Sequence, residues 1–153
     1  MPIIYSPMRV PPRTGTIYPE PFKQGFEGRL KRALTQRLGL TQFGVNLTTL
    51  EPGAKSALRH WHAHEDEFIY MLVGELVLVT MHGETPIRVS MAVSFPAGDK
   101  NGHHLVNRGT APATYLEIGT RARDDDVTYP DDDLVAEKRD GVFRFRHKNG
   151  EPY

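Results

Sequence analysis

His60-Trp61-His62-Ala63-His64-Glu65-Asp66-Glu67 is the stretch on which the reading of this chain turns, and Gly102-His103-His104 answers it further on. Five of the seven histidines lie in these two clusters. Side chains alternate along a strand, so His60 and His62 share a face. Imidazoles beside a carboxylate suit Zn, Mn, Fe, Ni or Cu, and a third His from a distant strand closes a four-ligand site. A solvated polar loop is the alternative for the first cluster alone. Glu67 has the opposite parity to His60 and His62. It joins them only if Ala63 to Asp66 forms a turn or bulge that resets the register. His64 competes with His62 for a place in such a site, and His104 competes with His103.

Beyond that turn, Phe68-Ile69-Tyr70-Met71-Leu72-Val73 is an apolar strand on both faces. Glu67, Ile69, Met71 and Val73 share one side, and Phe68, Tyr70 and Leu72 the other. A strand of that kind belongs in a barrel wall covered outside by another segment or a second subunit. Further strands are expected over Thr41 to Leu50, Leu76 to Met81, from Ile87, His103 to Asn107 and Ala113 to Thr120. Turn chemistry falls between them at Pro52-Gly53, His82-Gly83-Glu84, Phe95-Pro96-Ala97-Gly98 and Arg108-Gly109-Thr110. Short strands at this spacing indicate an all-β sandwich or barrel.

Composition narrows the function classes. At 153 residues one core is expected, and 19 basic residues balance 19 acidic ones. Neither nucleic acid nor an anionic membrane is called for as a partner. The chain has no Cys, which excludes disulfides, thiolate metal sites and cysteine nucleophiles. Met1 to Pro12 holds four prolines and no long apolar run, unlike a signal peptide, and no segment approaches a membrane span. A cytoplasmic location fits.

The ends of the chain read differently from the middle. Residues 1–40 form a Pro- and Gly-rich arm expected to pack on the barrel or on a partner subunit. Within it, Leu30, Ala33, Leu34 and Leu38 fit a short helical stripe stopped by Gly39, and a strand fits nearly as well. Residues 41–120 are the barrel core, and 121–153 read as an irregular tail packed on the same domain. Asp124-Asp125-Asp126 and Asp131-Asp132-Asp133 read as solvated surface, since a calcium loop needs a Gly and a distal Glu at fixed offsets. Val142 to Arg146 alternates and returns two aromatics to the surface of the fold. His82 and His147 stand in turns and read as exposed.

From Pro52 the chain runs P-G-A-K-S-A-L-R-H-W-H-A-H-E-D-E-F-I-Y-M-L-V-G-E-L. This resembles the first motif of the cupin superfamily, with His60 and His62 as its H-x-H, Glu67 four residues later, and Gly74 after six more. Pro96-Ala97-Gly98 followed by His103 and Asn107 resembles the second motif. Gly53 stands one residue further from His60 than the pattern has it. Four residues rather than two separate Gly98 from His103, and Ser90 replaces the Gly that precedes the Pro. The resemblance covers about residues 45–120 and implies one double-stranded β-helix, or jelly-roll, barrel.

It also implies a metal set of His60, His62, Glu67 and His103 holding one divalent transition metal, such as Zn, Mn, Fe or Ni. Four protein ligands leave open positions for a substrate. Around them Lys100, Asn101, Arg108, Tyr70 and Tyr115 are polar or aromatic candidates for contact with it, with exposed solubilising charge as the alternative, while Arg59 and Trp61 flank the first ligand pair but by alternation point away from it. Small single-domain bacterial cupins of this kind are often described as sugar-phosphate isomerases. The expected function is therefore metal-dependent chemistry on a small oxygen-rich substrate. An iron-dependent dioxygenase is one alternative, and a non-catalytic module that binds a metal or small molecule is another. The Pro-rich arm and the two-sided strand point to a homodimer.

Overall fold

The computed structural model describes residues 2–153. The strands are β1 (Arg29–Ala33), β2 (Phe43–Leu50), β3 (Trp61–His62), β4 (Glu67–Val73), β5 (Glu75–Thr80), β6 (Gly83–Arg88), β7 (Ala92–Phe95), β8 (His104–Val106) and β9 (Ala113–Thr120). They continue with β10 (Asp125–Tyr129), β11 (Leu134–Arg139) and β12 (Val142–Arg146). One short helix, α1 (Leu34–Leu38), follows β1 and ends at Gly39 in the left-handed conformation. The segment that reads equally as helix or strand is thus both in succession.

All the strand pairing is antiparallel. One wall is the five-stranded sheet β1-β2-β9-β4-β7. The facing side is built from the three-stranded sheet β6-β5-β8 and the four-stranded sheet β12-β11-β10-β3. An isolated antiparallel bridge between His60 and His103 links those two sheets. This is the expected jelly-roll architecture. Period-two alternation sets the inner layer: Leu50, Ile69, Met71, Ala113 and Tyr115 meet Leu76, Ile87 and Leu105 in one core.

The irregular tail expected over residues 121–153 is instead β10, β11 and β12, with a second core of its own. Val127, Tyr129, Leu134 and Ala136 alternate inward from β10 and β11. Tyr18 and Phe26 of the arm close over them, Phe26 being fully buried. The arm therefore packs on this same chain. Arg29 and Arg32 fasten it by donating to the carbonyls of Gly15 and Val10.

Two motif residues do structural work. Gly74 joins β4 to β5 at φ +77°, and a Cβ there would stand 3.0 Å from that of Ala113. Asn107 is fully buried, and its amide donates to the carbonyls of Leu50 (2.8 Å) and Ala111 (2.9 Å), closing the loop before β9. Ser90, at the position where the cupin pattern has glycine, takes up φ 70° and keeps the turn at the cost of strain.

Candidate metal centre

The chain changes sheets between His62 and Glu67. His62 is the last residue of β3, paired with Val127, whereas Glu67 opens β4 in the opposite wall, paired with Gly119. The four residues between them form the bend that the parity of Glu67 requires. His60 and His103 bond reciprocally through their backbones, His103 N–H to His60 O at 2.8 Å and His60 N–H to His103 O at 3.1 Å. Gly98 N–H donates to the His62 carbonyl at 2.8 Å, tying the Pro96–Gly98 turn to the first cluster.

These constraints bring His60, His62, Glu67 and His103 together. Nε2 of His60 and Nε2 of His62 each lie 3.7 Å from Glu67 Oε2, and Nε2 of His103 lies 2.8 Å from the same oxygen. Donor atoms of His60, His62 and Glu67 fall within 4.8 Å of one another. All four side chains are largely withdrawn from solvent. The ring of His103 stacks on Phe95 with centroids 3.4 Å apart and planes 5° from parallel, which sets its orientation.

Outer hydrogen bonds decide which nitrogen faces inward. His60 Nδ1 donates to the Leu58 carbonyl at 2.8 Å. His62 Nδ1 donates to Asp125 Oδ2 at 2.6 Å. With the proton held on Nδ1, the Nε2 lone pair of each ring points at Glu67. Asp125 is fully buried at the start of β10, and its other oxygen accepts the His64 N–H at 2.8 Å. The Asp124–Asp126 run is therefore not simply solvated surface: its middle residue orients His62. That role had a signal in the sequence, because Asp125 shares parity with the apolar Val127 and Tyr129.

Charge follows from these contacts. Burial pushes His60 down to about 3, against the pull of Glu67. Burial lowers His62 too, but the hydrogen bond to Asp125 and the carboxylates of Glu67, Asp125 and Glu65 outweigh it, and its net shift is upward. Burial opposes ionisation of Glu67, yet the His103 hydrogen bond and the neighbouring His60 and His62 hold its carboxyl well below the usual range. A second acidic group, His62 with Glu65 and Asp125, adjoins the first. Its His62 nitrogen is already committed to Asp125, and Glu65 is ion-paired to the buried Lys138.

The other candidates stand apart. His64 has a largely exposed side chain. His104 Nδ1 bonds the Ala57 carbonyl at 3.0 Å. His147 pairs with Asp133 at 2.8 Å, and His82 lies in an exposed turn. Arg59 clamps Asp131 through two bonds of 2.6 and 2.7 Å. Arg108 pairs with Glu84 across the surface. Tyr115 faces the barrel core and Tyr70 faces out. Trp61 and Asn101 line a cavity of about 160 Å³, while a larger one of about 470 Å³ opens between the two walls. His62, Glu65, Glu67 and His103 border both, so the cluster stands where the two meet.

A barrel of this topology with three histidines and a glutamate at its mouth defines the cupin class, and the chain belongs to the cupin superfamily. Residues 46–119 match the family model described as the Cupin domain. A crystal structure of a sugar phosphate isomerase of the cupin superfamily from Silicibacter pomeroyi is similar over 99% of this chain and 96% of that one, with 42% identity and a TM-score of 0.95. A provisional sugar phosphate isomerase from Acidithiobacillus ferrooxidans is 29% identical over 82% of this chain and 80% of its own, with a TM-score of 0.75. A polyketide cyclase from Streptomyces resistomycificus, 19% identical over 80% of this chain and 81% of its own at a TM-score of 0.63, shares the fold. No curated protein sequence matches the chain. Among the described residues no helix is long and apolar enough to cross a membrane.

Proposed function

We propose that this protein is a metal-dependent enzyme acting on a small oxygen-rich substrate, with interconversion of sugar phosphates as its reaction. The observation that carries this reading is the convergence of three imidazole Nε2 atoms on one carboxylate oxygen at the edge of a cavity of about 470 Å³. The donor set fits a divalent transition metal: imidazoles of His60 and His62 held through Nδ1 so that Nε2 faces inward, a third imidazole on His103, and the anionic Glu67. A metal held there would supply Lewis-acid polarisation of a substrate carbonyl.

The chain's own residues do the rest. Asp125 and the Leu58 carbonyl hold the rings of His62 and His60 in the tautomer that leaves Nε2 free. Phe95 covers one face of His103 and keeps water from it. Glu117, on the inner face of β9, lines the large cavity with Lys31 at 2.9 Å from its carboxylate. It is the carboxylate available to move a proton between adjacent substrate carbons, the step an aldose–ketose interconversion needs. The similarity to the Silicibacter pomeroyi isomerase supports the same choice of substrate.

The test is metal per protomer in a series of single variants, followed by sugar-phosphate turnover with each candidate metal. His62→Ala is expected to lose stoichiometric metal, while His64→Ala and His104→Ala keep it. Asp125→Asn, which leaves the ligands in place, should weaken metal affinity about 10- to 100-fold. If His64→Ala loses metal while His62→Ala keeps it, the assignment is wrong by two residues. If no substitution changes metal content, the metal reading fails and the barrel is a binding module. Oxygen consumption in place of isomerisation by the iron-loaded protein would mark a dioxygenase.

A further inference from the structure

The large cavity carries more cations than its carboxylates neutralise. Arg13, Arg29, Lys31, Arg121 and Lys138 line it, against Glu65, Glu67 and Glu117. Lys31 is paired with Glu117 and Lys138 with Glu65, and Glu67 is engaged by the histidines. Arg29 is committed to the carbonyls of Ser56 and Gly15, and Arg13 to the Gln36 amide. The guanidinium of Arg121 has neither a carboxylate nor a carbonyl partner among the described residues, and this exposed residue lies at the open edge of the cavity with its guanidinium against Gly44.

Two glycines prepare that position. Gly44 pairs with Gly119, and Gly119 pairs with Glu67, so the three stand in one row across β2, β9 and β4. Alternation puts this row on the inner face, in step with Thr48 and Leu50 of β2. A Cβ at Gly44 would meet Arg121 Nε at 2.6 Å, Nη2 at 2.7 Å and Cζ at 2.9 Å. A Cβ at Gly119 would come within 3.2 Å of the Asp66 carbonyl. Bare backbone at both positions makes a shelf running from the guanidinium to Glu67. With strands about 4.8 Å apart, Gly44 stands roughly 10 Å from Glu67 across the sheet.

We infer that Arg121, seated on the Gly44–Gly119 shelf, is the anchor for a phosphate at one end of the substrate, the other end of which reaches the Glu67 cluster. A planar fork of unpaired donors suits a phosphate or carboxylate. The cationic excess of the cavity favours the dianion of the two. The gap between shelf and cluster selects a short polyhydroxy chain with a terminal phosphate. The identity of the whole substrate rests on the function proposed above, but the anchor itself is measurable without turnover.

The probe is inorganic phosphate, titrated calorimetrically into the full-length protein with acetate as comparator. The wild-type protein is expected to bind one phosphate per protomer and to prefer it to acetate. Arg121→Ala should weaken phosphate binding by about tenfold to a hundredfold. Gly44→Ala, which keeps the arginine but removes its seat, should weaken it as well, and Arg121→Lys should recover part of the loss. Arg123→Ala, an exposed arginine paired with Asp140, should bind as the wild type does. Metal per protomer and circular dichroism should be unchanged throughout, which separates loss of the anchor from loss of the fold. The inference is overturned if the wild type takes up no phosphate, if acetate binds more tightly, or if Arg121→Ala binds phosphate unimpaired. Arg121-dependent phosphate binding in a protein that interconverts no sugar phosphate would uphold the anchor and remove only the isomerase reading.

Discussion

His60 and His62 stand two residues apart, point at the same carboxylate and are both lowered by burial, yet their net shifts are opposite. The difference lies behind the rings. The Nδ1 partner of His60 is a neutral carbonyl, which does little to offset desolvation, whereas that of His62 is a buried carboxylate. This has a pH consequence. His60 is depressed to about 3 from its ordinary 6.5, so below pH 6.5 the unfolded chain takes up a proton that the folded chain refuses. His104 is lowered by burial in the same direction. His62 is raised, so its contribution to stability is complete below its ordinary value and adds little further slope there. The metal-free protein should therefore lose stability as pH falls from 6 to 5. His60 alone accounts for up to about 1 kcal/mol per pH unit. Urea midpoints across that range measure it. His60→Asn, whose amide can still reach the Leu58 carbonyl, should flatten part of the fall; an unchanged slope would show that His60 is not held neutral.

At the scale of elements, turns decide more than strands do. Gly74 meets two demands at once, a left-handed backbone and room for Ala113, and Ser90 meets the first alone without glycine. Gly74→Ala should therefore cost about 2–4 kcal/mol, read as a shift in denaturant midpoint, by strain and overpacking together. A shift below 1 kcal/mol would mean the β4–β5 junction relaxes freely. Strands β2, β4, β5 and β9 were legible because apolar alternation and turn residues bracket them. Residues 29–38 were ambiguous because five residues of strand abut five of helix, too few for either period to declare itself. Strands β10 and β11 were hidden by their charged outward residues: Asp126, Glu137 and Arg139 mask the inward Val127, Leu134 and Ala136. Arg121 was passed over for a related reason, since the glycine that seats it lies far away in the sequence.

Across the whole molecule, the outer face of the five-stranded wall remains apolar. Phe68 pairs with Ile118, which pairs in turn with Val45, and Tyr70 with Leu116, which pairs with Leu47, while Phe68, Tyr70 and Leu72 are each more than a third exposed. The arm that could have covered this face lies instead over Val127 and Leu134 of the other side. Monomers seldom expose so continuous an apolar band, and a second copy of the chain is the occupant we propose. Sedimentation at micromolar concentration should give a dimer, and Phe68→Lys with Tyr70→Glu should give a folded monomer. A monomeric wild type would remove the proposal.

The position of Asp125 has a consequence for how such proteins diverge. The Cupin domain match ends at residue 119, yet the carboxylate that orients His62 arrives from β10, beyond it. Inheritance can thus act on the two parts separately. A lineage can keep all four clustered side chains fixed while altering the added strands, and so retune the basicity of one imidazole without touching the common barrel. Descendants that are indistinguishable by their H-x-H and Glu signatures would then differ in metal preference, and a comparison confined to those signatures would group them together.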